Sequence, residues 1–140
     1  MSRRVAAVLA AVGILFVSSL PTALALGTSP VLGSKKAFQA GTGFGTVKPR
    51  TVYLGGDPTG EVKSITWHNW GAARAVGYGQ GWCPGKSVAS GHPCSAALHV
   101  SKLGTCHGRR AYIQMAFYFK TGATWTAGTK LNACTGQFQP

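Results

Sequence analysis

Four histidines, two carboxylates and four cysteines are the side chains of this protein that could do chemistry. His68, His92, His99 and His107 could supply a neutral base and a cationic acid near neutral pH, with lysine or arginine stabilising a phosphorane. That is the equipment of a small basic ribonuclease. Most other hydrolases need an acid and a base positioned together, often carboxylates or a histidine oriented by one. Only Asp57 and Glu61 are available. Flanking Pro58 and Gly60, they could bind calcium or bracket a sugar, but Asp before Pro commonly starts a turn and Glu the next strand. No serine-nucleophile signature accompanies any histidine. The chain therefore reads as non-enzymatic and without a cofactor.

Cys83, Cys94, Cys106 and Cys134 permit three disulfide pairings. The preferred set joins Cys83 to Cys94, stapling the Pro/Gly-rich loop from Pro84 to Pro93, and Cys106 to Cys134, tying a central strand to the C-terminal segment. Loop-closure entropy assigns the two bonds about 3 and about 3.5 kcal/mol. That is a large share of a net stability of roughly 5–15 kcal/mol. Zinc is the competing use of the sulfurs, with His92, His99 and His107 nearby. There is no Cys-x-x-Cys pair, the spacings fit no familiar finger, and export favours oxidation, so no metal is expected. A Cys106–His107 nucleophile pair fails as well, because adjacent strand residues point to opposite faces.

Export is read from the first 25 residues. Arg3 and Arg4 precede the apolar run from Val5 to Leu20, and Pro21 leads into Ala23-Leu24-Ala25, a site for cleavage between Ala25 and Leu26. Two of the 14 lysines and arginines lie in this leader. The remaining 12 face two acids, a formal charge of +10 on the mature chain. Such an imbalance favours polyanionic partners: nucleic acid, anionic wall polymers, lipid head groups or acidic proteins. Beyond the leader no apolar run approaches the ~18 residues that cross a bilayer, so the mature protein is expected to be secreted.

Residues 26–46 are Gly, Ser, Thr and Ala with scattered Lys and no periodicity, which predicts a flexible N-terminal arm. A single domain is expected over residues 47–140. There, β-prone runs alternate with turn signals: Thr51–Leu54, the cluster Gly55–Gly60, Glu61–Trp70, and Ala73–Tyr78 ended by Gly79-Gln80-Gly81. Ala96–Leu103 places Leu98 and Val100 on one face with His99 and Ser101 on the other. Arg110–Phe119 alternates throughout, with Ala111, Ile113, Met115, Phe117 and Phe119 on its apolar side. Short strands over Thr124–Thr126 and Lys130–Cys134 would follow. No useful amphipathic helix is visible. The expected fold is all-β: a small disulfide-bonded antiparallel β-sandwich or barrel of six to eight short strands.

Aromatic residues interleave with cations along this scaffold. Trp67, Trp70, Tyr78, Trp82, Tyr112, Tyr118 and Trp125 could stack on sugars or bases while Arg74, Lys86, Arg109 and Arg110 meet anionic groups. Trp67 shares strand parity with Ile65 and belongs to the core, whereas Trp70, Trp82 and Trp125 adjoin Gly or polar residues. The candidate contacts are therefore Trp70, Arg74, Trp82, Lys86, Arg109, Arg110 and Trp125. The function they predict is binding, without catalysis, of an anionic polymer or carbohydrate of the cell envelope, or of an extracellular protein.

Two resemblances bear on this expectation. Ile65-Thr66-Trp67-His68-Asn69-Trp70-Gly71, then Leu103-Gly104-Thr105-Cys106-His107-Gly108-Arg109-Arg110-Ala111-Tyr112, Phe117-Tyr118-Phe119 and Cys134-Thr135-Gly136 resemble a group of small secreted actinobacterial proteins. That group shows a W-x-x-W-G segment ahead of G-x-C-x-G-x-x-A-Y and an aromatic strand, and the likeness spans about Arg50 to Gly136. It implies export and a Cys106–Cys134 bond but brings no catalytic residue. The Cys83–Cys94 loop departs from the pattern, which fits an added pair bonding to itself. A weaker likeness, carried by Cys83-Pro84-Gly85 to His92-Pro93-Cys94 and by Gly108-Arg109-Arg110, is to the streptomycete subtilisin inhibitors. It implies serine-protease inhibition as an alternative, although the reactive loop expected after the third cysteine is missing.

Overall fold

The computed structural model describes residues 27–140; the leader and its cleavage site between Ala25 and Leu26 lie outside the described residues. Eight strands make one all-β sheet curled into a half-barrel. They are β1 (Val31–Leu32), β2 (Val52–Tyr53), β3 (Glu61–His68), β4 (Arg74–Cys83), β5 (His92–Cys106), β6 (Arg109–Thr121), β7 (Thr124–Asn132) and β8 (Phe138–Gln139). From β2 to β8 each strand pairs antiparallel with the next in sequence, an up-and-down meander. The long central hairpin turns through His107 and Gly108, whose φ values of 47° and 78° suit the tight two-residue turn between Cys106 and Arg109. Before β3, Asp57 caps a single 3-10 turn at Pro58–Gly60 by accepting from the Thr59 amide at 2.8 Å and from its hydroxyl. Those bonds, side chain first, hold the Asp57 carboxyl below its ordinary value.

One side of the sheet holds the core. Leu98 and Val100 from β5, Met115 and Phe117 from β6, and Leu131 from β7 pack with Val52, Val62 and Ile65. β4 contributes almost no side chain to this face, which explains its glycines. The sequence reading ends a strand at Gly79; the structure runs it on to Cys83. Cross-strand neighbours lean over the chain here. A Cβ on Gly77 would stand 2.6 Å from Ile65 Cγ2, one on Gly79 2.4 Å from the Lys63 carbonyl, and one on Gly81 3.0 Å from the Phe119 ring. Glycine in this strand makes room for its neighbours.

The unbroken alternation expected along β6 is also corrected. Ser101 pairs with Gln114 and Leu103 with Tyr112, leaving Lys102 and Ile113 without partners, and Lys102 adopts φ 56°. Past this irregularity the inward positions change from odd to even. Tyr112 turns into the core beside Met115, while Ala111 and Ile113 join Val31, Cys106 and Cys134 in a second cluster.

The flexible arm predicted over residues 26–46 is corrected over most of its length. β1 pairs with Ala111 and Tyr112, and the Leu32 and Gly45 amides donate to the carbonyls of Thr46 and Leu32. Val31, Leu32, Phe38 and Phe44 are buried, with the two phenylalanine rings stacked 4.1 Å apart. β7 covers β6 only as far as Gln114, so the remaining edge of β6 has room for another strand. Isolated apolar residues in a Gly/Ser-rich stretch carry no periodicity, yet four of them suffice to anchor it. The domain therefore begins before Val47.

Tyr112 shows how this segment is held. Its hydroxyl accepts from the Gly71 amide at 2.8 Å and donates to the Ala72 carbonyl at 2.7 Å, while the ring is fully buried. Trp70 packs edge-on against it and donates its indole N–H to Pro30; Trp67 donates to Pro49. Tyr112→Phe is expected to lower stability by about 1–3 kcal/mol, because the Gly71 amide and the Ala72 carbonyl lose a buried partner. Urea unfolding measures it.

Candidate functional site

Opposite the core, β3 to β7 present a second face that the β4 glycines leave undisturbed. Register places its side chains in cross-strand rows. One row runs His68, Val76, His99, Ala116 and Lys130, and the next Thr66, Tyr78, Ala97, Tyr118 and Ala127. Arg74, Ser101, Gln114 and Asn132 border the first row. Gln80 with Ser95, and Lys120 with Trp125, border the second. The alanines keep the surface low, so the rings and cations stand clear of it.

Five rings meet on this face. Tyr78 and Trp125 are exposed by 48% and 41%, large values for aromatic residues, and their centroids lie 6.1 Å apart. His68 packs edge-on to Tyr78 at 5.7 Å, and His99 lies tilted on Tyr118 at 4.4 Å. Ala97, paired with both tyrosines, is only 1% exposed. Beside the His99–Tyr118 pair lies a shallow pocket of about 260 Å³, bordered by Arg74, Ser101, Gln114 and Lys130.

The electrostatics of the face are one-sided. Of the two carboxylates, Asp57 is engaged by Thr59 and lines a pocket with Phe117 and Phe119, on the core side of the sheet. Glu61 lies at the far end of β3, ion-paired with Lys63 at 3.0 Å. Among the described residues no carboxylate pairs with Arg74, Lys120 or Lys130. Partial burial lowers the His99 pKa, since a charged imidazole there loses water. As pH falls through about 6.5, the unfolded chain gains a proton that folded His99 resists, so stability declines toward acid. Thermal midpoints measured on both sides of that pH should show this slope, and His99→Gln should reduce it.

Comparison with protein-family models, curated proteins and solved structures gave no match. The site therefore stands on its own geometry.

That geometry divides the seven contacts expected from the sequence. Arg74 and Trp125 lie on the aromatic face. Trp70 does not: its ring is half-buried against Trp67 and Tyr112, and its N–H is engaged by Pro30. Trp82 follows Gln80 on the outer side of β4, but its ring is half-buried and its N–H holds the Val88 carbonyl of the disulfide loop at 3.0 Å. Lys86 is exposed in that loop. Arg109 and Arg110 stand at the opposite end of the sheet, where they reach the carbonyls of Gly45 and Thr28 in the N-terminal segment. Tyr78, Tyr118, His68, His99, Lys120 and Lys130 complete the face and are absent from the sequence-derived set. The signal was alternation through β4, where Arg74, Val76, Tyr78, Gln80 and Trp82 fall on one side.

His68 and His99 share a row, but Val76 separates them and no carboxylate orients either ring. His92 opens β5 and His107 occupies the hairpin turn. Cys106, His107 and Cys134 converge within 4.8 Å, yet both sulfurs are consumed by the Cys106–Cys134 disulfide. The other bond joins Cys83 to Cys94. Among the described residues no helix is long and apolar enough to cross a membrane.

Proposed function

We propose that this protein is a secreted, non-enzymatic cationic β domain that binds an anionic or carbohydrate-containing partner in the cell envelope or outside it. The single observation behind this reading is the exposed face of β4 to β7. It combines Tyr78, Tyr118 and Trp125 with Arg74, Lys120 and Lys130 and holds no carboxylate to neutralise them. The exposed rings of Tyr78 and Trp125, with half-buried Tyr118 beside them, offer flat apolar surface, and unpaired cations at its margin supply attraction that water and salt moderate. Two disulfides and an export leader fit a protein that works in oxidising surroundings.

The reading is tested by passing the mature protein over immobilised heparin and over purified wall polymer in a salt series. Retention at low salt, released progressively as salt rises, is the expected result. Absence of retention at low salt, or retention indifferent to salt, contradicts it.

A further inference from the structure

Resting on that reading of the outer face, we infer that its anionic partner is single-stranded nucleic acid, with bases stacked on Tyr78, Tyr118 and Trp125 and phosphates met by Arg74, Lys120 and Lys130. Three observations favour this class over an acidic glycan.

The first is the balance of donors and acceptors. Sugar hydroxyls both donate and accept, and carboxylates serve their donating side best. Glu61, at the far end of β3, is bonded to Lys63. What remains joins three charged groups that only donate, the Arg74 guanidinium and the Lys120 and Lys130 ammonium groups, to imidazoles, phenols and the amides of Gln80, Gln114 and Asn132, which both donate and accept. A phosphodiester chain suits the three charged donors, since its backbone oxygens only accept.

The second is the placement of the rings. Tyr78 and Tyr118 sit two strands apart in one row, separated by Ala97, and Trp125 lies one row further along the strands. Neighbouring strands are about 4.8 Å apart, so the tyrosine backbones stand roughly 10 Å from each other. That span suits successive unstacked bases splayed over a sheet, the arrangement in which β-sheet aromatics read single strands. Duplex bases are stacked on one another and cannot present their faces to these rings.

The third is position. Lys120 is paired with Trp125, and Lys130 and Arg74 flank the pocket beside Tyr118. Cations therefore border the rings on two sides, as a backbone crossing the strands requires.

The test uses fluorescence anisotropy of labelled oligo(dT), a matched duplex and labelled heparin with the mature protein and two variants. The protein is expected to bind oligo(dT) more tightly than the duplex. Tyr78→Ala/Trp125→Ala should weaken oligo(dT) binding about tenfold or more, while changing heparin binding by less than about twofold. Tyr78→Phe/Trp125→Phe, which keeps the rings, should bind oligo(dT) within about threefold of the parent and so separates lost stacking from a disturbed fold. Heparin binding without oligo(dT) binding would make an acidic glycan the occupant and overturn this inference alone. Oligo(dT) binding untouched by the alanine variant would overturn it too. Failure to bind any of the three polyanions would remove the proposed function along with it.

Discussion

Gly33→Ala is expected to destabilise the domain by roughly 2–5 kcal/mol, one of the largest effects open to a single methyl group. Gly33 adopts φ +46°, and a Cβ there would stand 2.0 Å from the Ala133 carbonyl oxygen. Both the backbone conformation and the space are denied to alanine. The obstructing atom is backbone, fixed on one side by the Ser34 amide, which donates to that carbonyl, and on the other by the Ala133 amide, which donates to Ile113. Nothing nearby can yield cheaply. Relief would require the Val31–Ser34 segment to leave β6, exposing Val31, Leu32 and the second cluster. Gly122→Ala is the control, because Gly122 has φ +61° with nothing within 4 Å. It should cost about 1–2 kcal/mol, the conformational part alone. Equal losses in the two variants, measured by denaturant unfolding, would show that β1 is not packed as described.

Loss of the Cys106–Cys134 bond has a comparable cost. The alanine pair C106A/C134A is expected to lose about 3.5 kcal/mol, the closure entropy of a loop whose ends are 28 residues apart. The bond links the end of β5 to the segment after β7, on either side of β6, and Cys106 is buried with Val31 and Ala111. Cys83–Cys94 closes a shorter loop of separation 11 between β4 and β5, strands already paired residue by residue from Arg74 to Cys83. C83A/C94A should cost less, about 3 kcal/mol or below, with its effect confined to the exposed loop that Trp82 braces. A larger loss from C83A/C94A than from C106A/C134A would contradict this ranking.

Much of this architecture is legible in the sequence where side chains alternate. The antiparallel all-β class follows from period-two runs, and the observed disulfides are the pairing preferred among the three that four cysteines permit. Reading fails where backbone, not side chains, sets the outcome. Gly77, Gly79 and Gly81 look like punctuation but continue β4, because the bulk they lack is supplied by Ile65, Trp67, Val62 and Phe119 from neighbouring strands. Residues 27–46 look like linker because β1 is two residues long and gains its partners from β6, eighty positions away in the chain. The same blindness divides the candidate site. Arg109 and Arg110 are prominent as a pair yet serve the N-terminal segment. Tyr78 and Tyr118 sit forty positions apart and meet only through the register of β4, β5 and β6.

The central claim is that binding belongs to one face and is more than a consequence of net charge. It is tested most directly by the salt concentration that elutes two equally neutralised variants from heparin. R74Q/K120Q/K130Q removes three charges from the aromatic face, and K35Q/K36Q/K48Q removes three exposed charges from the N-terminal segment. The account predicts that the first elutes at markedly lower salt than the parent while the second elutes close to it. Equal shifts for the two variants, or a larger shift for the second, would contradict it.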